Sequence, residues 1–304
     1  MTNPASAPPA HAATGGTWRM VAAMALSGTI GAFVVMSGQP PIDVVWFRCL
    51  LGGLALLGAL ALQRGWRPMD TRQWSWLALG GIALILNWIC LFSAYRYSGI
   101  SIATVVYHTQ PFFLLWLVAL FQRERVGAGR LPWLLLAFAG VVLITGLEHG
   151  GSGTPGRLLA GVALSLVAAL LYAVTTFATR RLQGLPPAQI AGLQMLLGVP
   201  LLLPLAHPAP GSYGAQAWGA LLALGLLHTG VMYTWLYAAF QRLGVLSIAT
   251  LSFIYPLVAI AIDVLVFRVV LSPAQLAGMA LVLLAVVANQ RGWQLPGGRQ
   301  AAGR

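Results

Sequence analysis

Arg48, Asn87, His108, His228 and Asp263 fall inside long apolar runs of the chain. Polar and ionisable groups are expensive away from water, so where they occur at depth they point to a site or a pathway. Asn87 and His228 lie near the centres of their runs, and His108 lies in the outer third of its own. An imidazole titrates near neutrality and suits either a proton or a substrate carboxylate. A neutral histidine bonded to a backbone carbonyl is the structural alternative. Arg48, about one and a half turns into its run, could hold a carboxylate bidentately, snorkel outward, or pair with Asp43. Asp263 stands near the end of its run, away from the midplane where a proton-coupling acid is expected. Facilitated transport and coupling through histidine therefore stay open beside a carboxylate-driven antiporter.

Aromatic residues supply a second kind of chemistry. Trp88, Phe92 and Tyr95 share one helical face at i, i+4 and i+7, and Tyr233, Tyr237 and Phe240 repeat that spacing. Two such stripes facing across a cavity would stack on a planar solute, each good ring pair adding about 0.5–1.5 kcal/mol beyond area burial. Interfacial belts and lipid-facing surfaces are the competing placement for such rings. Thr104, Tyr107, His108 and Pro111 fall on one face, and Ser252, Tyr255 and Pro256 echo them later in the chain. A mid-run proline frees a carbonyl that lipid cannot satisfy. Pro111 and Pro256 are thus candidate hinges, with a static packing kink the equal alternative. Cys49 and Cys90 are isolated in apolar runs, without metal-ligand spacing or a disulfide framework. No metal or cofactor is expected. Glu124, between Arg123 and Arg125, reads first as a structural ion pair.

The elements that carry these residues must be membrane spans. Hydrophobic residues make up 59% of the chain and charged residues only 7%, with a mean hydropathy of +0.83. A soluble domain carries about 25% charged residues to solvate its surface. The formal charge of +12 comes from arginines scattered between apolar runs. They form no basic stripe with interleaved aromatics, which argues against nucleic acid. Apolar runs set against Gly, Pro and Arg punctuation predict ten spans, at 18–37, 42–62, 74–95, 101–121, 132–147, 158–179, 188–205, 217–240, 246–267 and 274–290. Residues 1–17 and 291–304 read as cytoplasmic tails. With both ends inside, thirteen arginines fall in cytoplasmic segments and three (Arg96, Arg157 and Arg268) outside, as the positive-inside bias requires.

The chain also repeats itself at a period of about 145 residues. PPIDVVWFRCLLG, Pro40 to Gly52, matches PPAQIAGLQMLLG, Pro186 to Gly198, with Arg48 opposite Gln194. SGISIATVVYHTQP, Ser98 to Pro111, matches LGVLSIATLSFIYP, Leu243 to Pro256, after a one-residue shift. Five spans per copy is an odd number, so the second copy enters the membrane upside down. The expected fold is an all-α membrane protein of ten helices, N-in and C-in. Its two inverted five-helix repeats cover 18–148 and 156–290. Inverted repeats commonly place a solute site near the midplane between them and permit alternating access.

The Pro41/Arg48 spacing, the Ala103/Thr104 to Pro111 segment and Glu124 together resemble the EamA-type family of the drug/metabolite transporter superfamily. The likeness covers residues 18–290, although Gln194 and Val269 stand where the second copy would repeat the Arg and the Glu. The resemblance implies a ten-helix protein of the bacterial plasma membrane that exports small metabolites, and the whole is similar to bacterial aromatic amino-acid exporters. Candidate cavity-lining residues are Arg48, Asn87, Trp88, Phe92, Tyr95, Tyr107, His108, His228, Tyr233, Tyr237, Ser252 and Tyr255. Expected partners are a small-molecule substrate and the lipid bilayer, with a monomer as the working unit. Smaller amino acids and amphiphilic metabolites or drugs are the second substrate class. An intramembrane enzyme would need an Asp dyad, a His-Glu-x-x-His helix or a nucleophile in register with a deep histidine, and no apolar run presents the first two. A receptor or scaffold would leave the duplication unexplained.

Overall fold

A computed structural model describes residues 10–122, 131–146, 155–240, 251 and 254–293. Among these every regular element is helical: α1 (Ala10–Ser37), α2 (Pro41–Leu62), α3 (Thr71–Tyr107), α4 (Gln110–Gln122), α5 (Leu131–Gly146), α6 (Pro155–Thr179), α7 (Pro187–Leu202), α8 (Ala215–Leu222), a π-helical segment (Ala223–Val231), α9 (Met232–Phe240), α10 (Ile254–Leu265) and α11 (Pro273–Gln290). Five stretches are long and apolar enough to cross a membrane: Gly16–Ser37, Pro41–Leu62, Thr71–Tyr107, Gly156–Thr179 and Ala215–Leu236. Shorter apolar helices accompany them.

Local sequence explains the helix starts. Pro41 and Pro187 each occupy the first helical position after another proline, where a missing N–H has no intrahelical bond to lose. Asp70 opens α3 with a capping box: its Oδ1 accepts from the Gln73 N–H at 2.7 Å while Gln73 Oε1 accepts from the Asp70 N–H at 3.0 Å. Ser272 and Gln275 form the same reciprocal pair before α11.

Two boundaries differ from the sequence reading. The predicted spans 74–95 and 101–121 meet within α3, which bends at Gly99, where φ is +78° and ψ is 168°. Only glycine holds such a backbone without strain. The chain beyond Gly99 is helical to Tyr107, breaks at His108 and Thr109, and resumes at Gln110. Pro111 explains that break, because it has no N–H to give the Tyr107 carbonyl and its ring crowds the preceding turn. The predicted span 217–240 is not one uniform helix but widens through Ala223–Val231.

Helix pairing follows the internal repeat. α2 packs on α7 and α5 on α11, whereas α1 packs on the α8–α9 rod and α10, and α6 packs on α3 and α4. Shifting by the repeat period exchanges the α1 and α6 neighbourhoods and leaves the other two pairs unchanged. That is the pattern a two-fold relation between halves produces. Close approach holds the seam together: a Cβ on Gly52 of α2 would collide with the Thr229 side chain and lie 3.2 Å from the Gly225 carbonyl. Backbones approach through small residues because lipid supplies no solvent-driven force between helices. The largest buried apolar cluster runs through α1, α2, α3, α6, α7, α9 and α10, and it surrounds the cavity described next.

Candidate functional site

The cavity, of about 210 Å³, opens between the two halves. From α1 come Met20, Met24, Ser27 and Ile30, and from α2 comes Arg48. α3 contributes Trp88, Leu91, Phe92 and Tyr107, followed at the helix break by His108 and Gln110. The second half adds Tyr172, Met232, Tyr233, Leu236, Tyr255 and Val286. No Asp or Glu stands among these residues.

Arg48 dominates the electrostatics. It is only 1% exposed. Its Nε donates to Thr229 Oγ1 at 3.0 Å, and its guanidinium carbon lies 4.1 Å from the Trp88 ring centroid and 5.8 Å from that of Phe92. The indole face partly replaces the lost hydration of the cation. Asp43 does not pair with it, since Asp43 Oδ1 accepts from the His207 N–H at 2.9 Å. Asp263 is likewise occupied: its Oδ2 accepts from the Ser101 N–H at 2.8 Å. That carboxylate caps the helical turn after Gly99. Gln194, the repeat counterpart of Arg48, packs against Gly80 and donates weakly to Thr179 at 3.4 Å. The cation is therefore present on one side of the pseudo-symmetry alone.

The π-helical segment positions both His228 and Thr229. Thr229 Oγ1 donates to the Leu224 carbonyl five residues back, at 2.9 Å, and so offers its lone pair to Arg48. His228 Nδ1 lies 2.9 Å from the Ala223 carbonyl, also five residues back. A carbonyl can only accept, so Nδ1 carries a proton and a neutral imidazole presents a bare Nε2. Thr29 Oγ1 lies 2.7 Å from that nitrogen and 2.8 Å from the Leu26 carbonyl, one hydroxyl proton between two acceptors. With Phe33 against its ring at 4.8 Å, His228 ties α1 to the π segment and stands off the cavity wall.

The remaining predicted residues divide clearly. Trp88, Phe92, Tyr107, His108, Tyr233, Tyr255 and Arg48 line the cavity. Asn87 and Tyr95 lie behind the wall, both buried. Asn87 Nδ2 donates to the Ala168 carbonyl at 2.6 Å, joining α3 to α6, while its Oδ1, beside Tyr107, has no partner at bonding geometry. The Tyr95, Thr104 and Tyr255 hydroxyls cluster and interact with one another, those of Tyr95 and Thr104 buried without a partner at close bonding geometry. His108 Nδ1 bonds the Thr104 carbonyl at 2.7 Å, and its ring packs on Tyr255 at 5.0 Å. Pro256 is buried in α10. Pro111 lies in α4 and Tyr237 in α9, their side chains outside the description, and Ser252 lies outside the described residues. Tyr172 and the methionines were not anticipated. Two signals pointed to them: Met20, Met24 and Ser27 share the i, i+4, i+7 spacing, and the repeat period carries Ser27 onto Tyr172.

The internal duplication has a counterpart among known sequences. The model of the EamA-like transporter family fits residues 14–146 and again 159–289. The chain belongs to the EamA-like transporter family. This EamA protein is 31% identical over 257 residues to the transporter YxxF of Bacillus subtilis, covering 81% of this chain and 79% of YxxF. It is 26% identical over 202 residues to the aromatic amino acid exporter YddG of Ancylobacter novellus, covering 64% of this chain and 69% of that one. One solved crystal structure superposes with a TM-score of 0.62 at 23% identity, covering 91% of this chain and 96% of the other, which speaks to the fold alone. The family, its bacterial members and the apolar helices make this EamA chain a multi-pass protein of the bacterial inner membrane. Its relatives carry the names of transporters, not of enzymes.

Proposed function

We propose that this chain is a secondary transporter that exports aromatic or hydrophobic amino acids by alternating access. Ten crossings in two inverted repeats, 18–148 and 156–290, leave both termini in the cytoplasm. The observation that carries the reading is the cavity wall: Trp88 and Tyr233, one repeat period apart, both line a single chamber between the halves. Rings from both halves would stack on an aromatic solute, and rocking of one half on the other would expose the chamber to each side in turn. Pro111 and Pro256 are the proposed hinges. The name of the Ancylobacter relative supports the substrate class.

Uptake of labelled Phe, Trp, Thr and Cys into proteoliposomes tests this reading. Wild type should move Phe and Trp faster than Thr, and Trp88→Ala should reduce Phe flux by about tenfold, the scale of one lost ring pair plus its buried area. Equal losses for Phe and Thr, or no Phe flux, would contradict stacking. The second substrate class, smaller amino acids or amphiphilic metabolites, would show as preferred Thr or Cys flux.

A further inference from the structure

Arg48 is a buried cation for which the described residues supply no anion. Its Nε is fixed by Thr229 and its face by Trp88, and the buried carboxylates of Asp43 and Asp263 serve backbone amides. An unpaired charge at such depth is heavily penalised unless something completes it. The phenols that line the chamber beside it, Tyr233 and Tyr255, lie within electrostatic reach of the guanidinium and can donate. A cation flanked by phenols on the wall of one chamber fits an oxyanion, and the planar guanidinium favours a bidentate carboxylate.

An ammonium meets only ring faces and uncharged acceptors. The lining holds no Asp or Glu. Among the described residues beside the cavity wall, the buried acceptors without a partner at bonding geometry are uncharged: Asn87 Oδ1 and the hydroxyl oxygens of Tyr95 and Thr104. We infer that the cavity recognises aromatic monocarboxylates through Arg48, and that the amino group of an amino acid is tolerated and not required. Deaminated aryl acids are substrates on this account, and cationic aromatic amines are excluded. The inference rests on the transport reading for its location and narrows that reading to a charge class.

Binding to the full-length purified protein tests it with four ligands of one ring: phenylalanine, 3-phenylpropionate, phenylalaninamide and phenylethylamine. Phenylalanine and 3-phenylpropionate should bind within about threefold of each other, and the two that lack a carboxylate at least about tenfold more weakly, the scale of a charge-assisted bidentate contact. Arg48→Gln should erase that difference and Arg48→Lys should restore part of it, with each variant's thermal unfolding recorded so that a folding defect is seen as such. Thr229→Val, which keeps the charge and loosens its anchor, provides a second reading and should shrink the preference. The inference is overturned if phenylethylamine binds as tightly as 3-phenylpropionate, if Arg48→Gln folds and keeps the preference, or if none of the four binds wild type. Carboxylate-selective binding without flux would sink the transport reading and leave the inference standing. Phenylalanine flux without carboxylate selectivity would do the reverse.

Discussion

Arg48 acquires its direction from a threonine on another helix. The Thr229 hydroxyl spends its proton on the Leu224 carbonyl, so its lone pair is fixed toward Arg48 Nε. Thr229→Val keeps the shape and removes the acceptor. The expected result is about tenfold weaker binding of 3-phenylpropionate in an equilibrium measurement, because bonds to charged groups are worth about 1.5–3 kcal/mol. Thr229→Ser should retain most of the affinity. The sequence announced Arg48 as a deep charge but left three fates open for it, and the choice depended on where Asp43 went. Asp43 is drawn to the His207 amide, 164 positions away in the chain, and no local pattern encodes such a partner. The aromatic stripe was legible for a simpler reason. Trp88 and Phe92 are set on one face by helix periodicity alone, and the repeat carries Trp88 onto Tyr233.

At the scale of elements, the turn between the predicted third and fourth spans depends on Gly99 and on a carboxylate reached from α10. Gly99 adopts a backbone that other residues resist, and Asp263 Oδ2 accepts from the Ser101 N–H beside it. Gly99→Ala should lower stability by about 1–2 kcal/mol, the penalty for a left-handed backbone, and Asp263→Ala by about 1 kcal/mol through the lost cap. Thermal unfolding in detergent measures both. The two effects should not add fully, since the groups share one turn. Sequence patterning placed the helices but not their irregularities. The break at His108 follows from Pro111 once the helix is traced, whereas the π-helical stretch needs His228 and Thr229 to bond carbonyls five residues back. Hydropathy reads a widened turn and a regular one alike.

For the whole molecule, the exchange of the α1 and α6 neighbourhoods under the repeat is the strongest sign that the two halves are one unit used twice. Self-similarity in the sequence foretold that relation, because duplicated segments keep equivalent packing surfaces. Reporter fusions to each terminus should both indicate the cytoplasm, and a cysteine placed beside Arg157, at the start of α6, should be labelled only from outside. Termini found on opposite faces would remove the inverted arrangement. The asymmetry matters as much as the symmetry. Gln194 lies where Arg48 would recur and packs into α3 and α6 instead, so the anion site proposed for the chamber belongs to one half.

The widened segment Ala223–Val231 has a further consequence. It sets the angular phase between Leu222 and Met232, and each residue of a regular helix turns the chain by about 100°. Were the same nine residues wound as regular α-turns, Met232, Tyr233 and Leu236 would swing together off the chamber wall while Ala215–Leu222 kept its place. The irregular turn works as a phase shifter, and the register of an entire wall hangs on a stretch whose composition looks like ordinary membrane helix.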